Sequence, residues 1–203
     1  MVRLAGDLEI PAGADGVVLF AHGSGSSRFS PRNRAVAETL QRAGLATFLM
    51  DLLTPEEERQ DVRTGQFRFD VGLLAERVEA AADQLAIDPQ TRDLRLGCFG
   101  ASTGAAAALI AAAERPEVVR AVVSRGGRPD LAARHLPAVR APTLLIVGER
   151  DEEVIQLNLE AKALMRAECR LEIVPGATHL FEEPGALDEV ARLAVGWFCR
   201  FLL

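Results

Sequence analysis

The sequence predicts an α/β fold, a mostly parallel twisted sheet with helices on both faces, and two observations carry that expectation. Short runs rich in Val, Ile, Leu and Phe recur along the chain, too continuously apolar for strands that show one face to water. They alternate with longer stretches of helical period, the pattern of strands joined by crossover helices. With 203 residues, 49% of them hydrophobic and 26% charged, the chain suits one domain with a full core, spanning residues 1–203.

Taken in order, a weak strand is expected near Leu8 to Ile10, followed by the stronger GVVLFAHG. Ser30 then serves as N-cap, Pro31 as first helical residue and Gly44 as left-handed stop of a helix that precedes the strand LATFLMD. The segment from Thr54 to Asp70, TPEEERQDVRTGQFRFD, is charged and without clear periodicity. It reads as a surface excursion, either a solvated loop or one wall of an active site, ahead of a helix that begins near Val71. The strand LRLGCFGAS runs into a helix opened by Ala105 to Ala108, and VVRAVVSRGG, PTLLIVGERD and CRLEIVPG complete the strands. In the last segment Leu187, Val190, Ala191, Ala194, Trp197, Phe198 and Phe201 recur at helical spacing, which places its Trp and Phe side chains in the core.

Charge and composition exclude several function classes. A net charge of −6 leaves no basic field to hold a phosphate backbone, so nucleic acid is not an expected partner. No apolar run approaches bilayer length, and MVRLAGDLEIPAGADG lacks the apolar core and cleavage site of a signal peptide. A soluble, cytoplasmic protein without a membrane partner is expected. Cys98, Cys169 and Cys199 form no C-x-x-C pair and are expected to be buried, reduced thiols.

The chemistry starts from Gly100-Ala101-Ser102-Thr103-Gly104, which fits G-x-S-x-G between a strand and a helix. A serine hydroxyl is a weak nucleophile at neutral pH and needs a base within reach, itself oriented by a third group. The chain has three histidines, His22, His135 and His179. Sites in such sheets lie beyond the carboxyl ends of the strands. His135 precedes a strand, and His22 adjoins Gly23-Ser24-Gly25, where the backbone is the useful part. His179 follows the last strand and is the expected base. Asp151 leaves the end of LLIVGERD as the orienting acid, with Glu149 and Glu152 as neighbours able to take its place. The order Ser102, Asp151, His179 matches strand-turn-helix serine hydrolases. The oxyanion hole needs two N–H donors; Thr103, just after the nucleophile, supplies one and Ser24 of HGSG the other.

Together VVLFAHGSG, GCFGASTG, LLIVGERD and GATHLF resemble the α/β-hydrolase fold, specifically its dienelactone-hydrolase-like branch, over about Gly16 to Phe201. The resemblance implies Ser102 as nucleophile, His179 as base, Asp151 as acid, and Ser24 and Thr103 as oxyanion donors of a carboxylesterase-like serine hydrolase. Dienelactone hydrolases proper carry a cysteine nucleophile, whereas here the elbow holds serine and Cys98 lies inside the preceding strand, which argues against dienelactone as substrate. The short stretch before PTLLIVG implies that no lid domain is inserted there, leaving an open, shallow pocket. Arg125 and, less directly, Arg28 are candidates to hold an anionic group of a small-molecule acyl or ester substrate. The scheme requires no metal and no organic cofactor.

Two other readings compete. Gly23-Ser24-Gly25 after one strand and Asp51 ending the next resemble a dinucleotide-binding oxidoreductase, although Arg28 stands where the third glycine belongs. A noncatalytic binding protein that keeps the hydrolase fold is the other.

Overall fold

A computed structural model describes residues 2–203. The strands are β1 (Gly6–Glu9), β2 (Gly16–Ala21), β3 (Ala46–Met50), β4 (Arg95–Ala101), β5 (Val119–Arg125), β6 (Thr143–Gly148) and β7 (Cys169–Val174). They form one sheet in the order β1-β3-β2-β4-β5-β6-β7. Only β1 runs antiparallel, paired with β3, and it lies slightly N-terminal to the expected Leu8–Ile10. The helices are α1 (Pro31–Arg42), α2 (Pro55–Thr64), α3 (Val71–Ile87), α4 (Thr103–Glu114), α5 (Glu152–Leu164) and α6 (Ala186–Leu202).

Alternation along β2 shows how the core divides. Val17, Leu19 and Ala21 join the cluster formed with α3, α4 and α5, while Val18 and Phe20 join the one formed with α1 and α6. Successive strand side chains point to opposite faces, so a continuously apolar strand requires a helical layer on each side. Trp197 and Phe198 on α6 are buried, as their spacing requires, and the indole N–H donates to the Pro142 carbonyl at 3.3 Å. Ser30 caps α1 by accepting from the Asn33 N–H, and Gly44 turns the chain with φ of 86°.

Two expectations are corrected. Much of the Thr54–Asp70 excursion is helix: Thr54 and Glu57 form a reciprocal capping box at the start of α2, Pro55 follows the cap, and Gly65 ends the helix at φ of 67°. Helical periodicity is faint because its only buried residue is Asp61, so no apolar stripe marks the helix. The cysteines are all free, but only Cys98 is fully buried, where burial pushes its thiol up to about 12; Cys169 and Cys199 are half-buried. Between β5 and β6, residues 126–142 hold only two short 3₁₀ turns, so no lid domain is inserted there.

Candidate active site

The strand order reverses between β2 and β4: the chain leaves β2 toward β3, then returns to add β4 on the other side. A crevice opens at the carboxyl ends of strands at such a switch point. The loop after β2 carries Gly23 to Ser26, and the turn after β4 carries Ser102.

Ser102 adopts φ of 51° and ψ of −121°. A non-glycine residue there stores backbone strain of about 1–3 kcal/mol and persists only when its surroundings impose it. Those surroundings are tight. A Cβ on Gly100 would lie 2.3 Å from the Ala105 Cα, and one on Gly104 would lie 2.3 Å from the carbonyl oxygens of Ala21 and His22. Both glycines let β4, α4 and β2 approach closely enough to force the turn. The Ser102 N–H donates to the Arg125 carbonyl at 3.2 Å. Its side chain occupies the N-cap position of α4 without capping it, so the hydroxyl is not used as an ordinary helix cap.

His179 Nδ1 lies 2.6 Å from Asp151 Oδ2, so the ring donates Nδ1–H to the carboxylate and keeps Nε2 as acceptor. The ends of β6 and β7 hold this pair in register. The Arg150 N–H donates to the Ala177 carbonyl at 2.9 Å, and Phe181 N–H closes a turn onto Thr178 at 3.2 Å. Glu149 is engaged elsewhere, accepting from the Gly176 N–H at 2.7 Å, and Glu152 is exposed on the first turn of α5. Of Glu149, Asp151 and Glu152, Asp151 is therefore the one that meets the histidine.

A cavity of about 220 Å³ joins these groups, lined by Ser24, Ser102, Arg125 and His179 together with Arg32 and Asn33. Among the described residues no backbone carbonyl accepts the Ser24 N–H, and the Thr103 N–H, at the start of α4, has no intrahelical acceptor. The hydroxyls of Ser24 and Thr103 are 2.9 Å apart, linking the two segments that carry these amides.

Arg125 is 8% exposed and has no carboxylate partner among the described residues. Its Nη2 donates to Asn33 Oδ1 at 3.3 Å, its Cζ lies 5.9 Å from the Phe181 ring centre, and its Nε is buried without a partner. Burial, reinforced by the positive charge of Arg32, pushes its guanidinium down to about 10. Arg32, which sequence reasoning overlooked, shares the cavity and pairs only with Glu182. Arg28 does not join them. Asp51 takes both its amide, at 2.8 Å, and its guanidinium, and Asp7 lies 3.5 Å from its Nε. The structure thus does not bring Arg28 into this cavity, and Asp51 is occupied in holding it.

The other histidines are structural. His22 is buried, donates from Nδ1 to its neighbouring Gly23 carbonyl at 2.9 Å and accepts the Leu52 N–H on Nε2 at 3.1 Å. His135 lies on a 3₁₀ turn, 3.9 Å from Glu114 and outside the cavity.

The profile of the dienelactone hydrolase family matches residues 4–196. The chain belongs to this family. Within it, the fold superposes on a dienelactone hydrolase from Anabaena variabilis with a TM-score of 0.98 and 63% identity, covering 100% of this chain and 94% of that one. Est1E of Butyrivibrio proteoclasticus, solved with ferulic acid bound, shares the fold at a TM-score of 0.81 and 16% identity over 98% of this chain and 95% of its own. Two Mycobacterium tuberculosis proteins that carry the provisional name phosphoribosyl transferase are 58% identical over 201 residues. That match covers 99% of this chain but 44% of theirs, so the chain spans less than half of those relatives. Family and fold agree on a dienelactone-hydrolase-like chain with an α/β-hydrolase fold. Among the described residues no helix is long and apolar enough to cross a membrane.

Proposed function

We propose that the chain is a serine hydrolase that cleaves small carboxylic esters through an acyl-enzyme on Ser102. The observation that carries this reading is that His179, held by Asp151 at 2.6 Å, lines one cavity with a strained serine that caps nothing. In the proposed reaction His179 Nε2 accepts the proton as Ser102 Oγ bonds to the ester carbonyl carbon. The N–H groups of Ser24 and Thr103 hold the resulting oxyanion. Collapse breaks the bond to the leaving oxygen, which takes the proton from His179 and departs as the alcohol. Water, deprotonated by His179, then attacks the acyl-enzyme and releases the acid. Asp151 fixes the ring tautomer and balances the imidazolium charge.

Arg125 narrows the substrate class. A buried guanidinium without a carboxylate suits an ester that brings its own anion, since burying an unpaired charge is costly until a counter-charge arrives. Arg32 on the same wall is paired with Glu182 at 2.9 Å, so a doubly charged group such as a phosphate would use both guanidinium groups by displacing that exposed carboxylate. The phosphoribosyl transferase name of the longer relatives agrees with a phosphate-bearing substrate, although it belongs to chains of which this one matches 44%.

The test is intact-mass analysis after exposure to a fluorophosphonate, which modifies activated serines. One adduct is expected on the wild type and none on Ser102→Ala. Absence of an adduct on the wild type would leave a noncatalytic binding protein as the better reading.

A further inference from the structure

We propose that Asp61 is a positioning residue for the oxyanion loop, acting through Arg68 so that α2 and the turn after it form a strap holding Ser24 and Thr103 in place; this rests on the hydrolase reading above.

The starting observation is that Asp61 is the one buried residue of α2, 2% exposed, and it carries a charge. Its Oδ1 accepts the N–H groups of Phe67 at 2.7 Å and Arg68 at 3.0 Å, and its Oδ2 pairs with Arg68 Nε. Arg68 Nη2 donates back to the Asp61 carbonyl at 2.9 Å. Four bonds thus close the chain into a loop at the end of α2. They also fix the Arg68 carbonyl, which accepts the Ser24 hydroxyl at 3.1 Å.

The direction of the next bond follows by counting protons. Ser24 has one hydroxyl hydrogen and gives it to Arg68, so the 2.9 Å contact with Thr103 must have Thr103 as donor. An unbroken path then runs from Asp61 through Arg68 and Ser24 to the first residue of α4. It ties together the two residues whose N–H groups are assigned to the oxyanion.

The loop needs such a tether. Ser24 stands between Gly23 and Gly25, and Gly25 has φ of 68°, so the segment has wide backbone freedom. Behind it lies a second cavity of about 220 Å³, between the loop and Leu52, Leu53, Val62 and Leu74. Apolar packing is thus interrupted on that side, where Arg68 is the side chain that comes near the loop at Gly25. Oxyanion donors act only when preorganised to hydrogen-bond geometry, and here the hydrogen bonds from the strap supply the order.

Hydrogen-exchange mass spectrometry, together with turnover of p-nitrophenyl acetate, tests this on the wild type, Asp61→Asn, Ser24→Ala and the double variant. Asp61→Asn is expected to exchange faster in the peptide covering Gly23–Ser26 and to lose about tenfold in kcat, a fraction of the loss seen when a donor is removed outright, with KM within about twofold. Because both changes cut the same path, the double variant should fall no further than the slower single variant. Ser24→Ala leaves the Asp61–Arg68 pair intact and carries the exchange measurement should Asp61→Asn fail to fold. Unchanged exchange of the loop in a folded variant, or losses in kcat that multiply, would overturn the proposal. The exchange measurement needs no turnover, so it separates failure of the strap from failure of the hydrolase reading.

Discussion

At the scale of single residues, the chemistry depends on which of several equivalent groups meet. Of the three histidines, His135 precedes a strand and His22 adjoins the Gly23–Gly25 segment, and of Glu149, Asp151 and Glu152 it is Asp151 that the structure brings to His179, at 2.6 Å. Asp151→Asn should lower turnover by about 10⁴ because the amide no longer fixes the Nδ1–H tautomer; steady-state kinetics on a folded variant checks it, and near-wild-type turnover would remove Asp151 from the mechanism. Arg125→Gln should lower kcat/KM for an ester bearing an anionic group by about tenfold to a hundredfold, the worth of a charge-assisted hydrogen bond, while sparing a neutral ester. Equal losses on both substrates would make Arg125 structural. Arg28 illustrates what a residue reading misses. Its partners are Asp7 on β1 and Asp51 just beyond the end of β3, so nothing beside it in the sequence announces that its charge is neutralised.

At the scale of elements, local signals were readable wherever apolar periodicity supported them. The cap, first-position proline and glycine stop of α1 and the apolar face of α6 are examples. The same punctuation brackets α2, where Thr54, Pro55, Glu57 and Gly65 mark both ends. Periodicity does not reveal that helix, because it runs over the surface with a buried carboxylate in place of an apolar stripe. The local signal that does mark it is the S/T-x-x-E box at its start. The nucleophile elbow shows the opposite case, a motif whose glycines are required by contacts on other elements. Gly104→Ala would push a methyl group against the backbone of β2, where nothing can yield without moving α4. Destabilisation of at least about 1–3 kcal/mol is expected in urea unfolding, with loss of fluorophosphonate labelling. A variant that labelled at the wild-type rate would show that the turn does not need this close approach.

At the scale of the whole molecule, two buried titratable groups away from the nucleophile tie stability to pH. Burial holds His22 below its ordinary value of 6.5, against the opposing influence of the Gly23 carbonyl, Asp51 and Glu58. The folded state thus refuses a proton that the unfolded chain accepts, and stability falls as pH drops below about 6.5. Asp61 adds to the same trend at lower pH. Desolvation raises its pKa, but hydrogen bonds from the Arg68 and Phe67 N–H groups and the Arg68 guanidinium outweigh that and hold the carboxyl below 3.8. The stability it contributes is present above that ordinary value and disappears as pH falls through the depressed one. Urea midpoints should therefore decline from pH 7 to about pH 5, and the decline should flatten in His22→Gln; a wild-type midpoint constant over that range would contradict the assignment of a neutral buried imidazole.

What the sequence by itself determined was the layered α/β architecture, the strands and the identities of Ser102, Asp151 and His179 as candidates, because periodicity, turn chemistry and strand-end position are local properties of the chain. Tertiary structure alone decided which charges are free and which are paired. It left Arg125 buried without a carboxylate among the described residues, bound Arg28 to Asp7 and Asp51, and ran a hydrogen-bonded path from Asp61 to the loop after β2. The physical reason is that a charge is set by whatever lies within a few ångströms of it in space. In a sheet whose strand order reverses midway, those neighbours come from segments far apart in the chain.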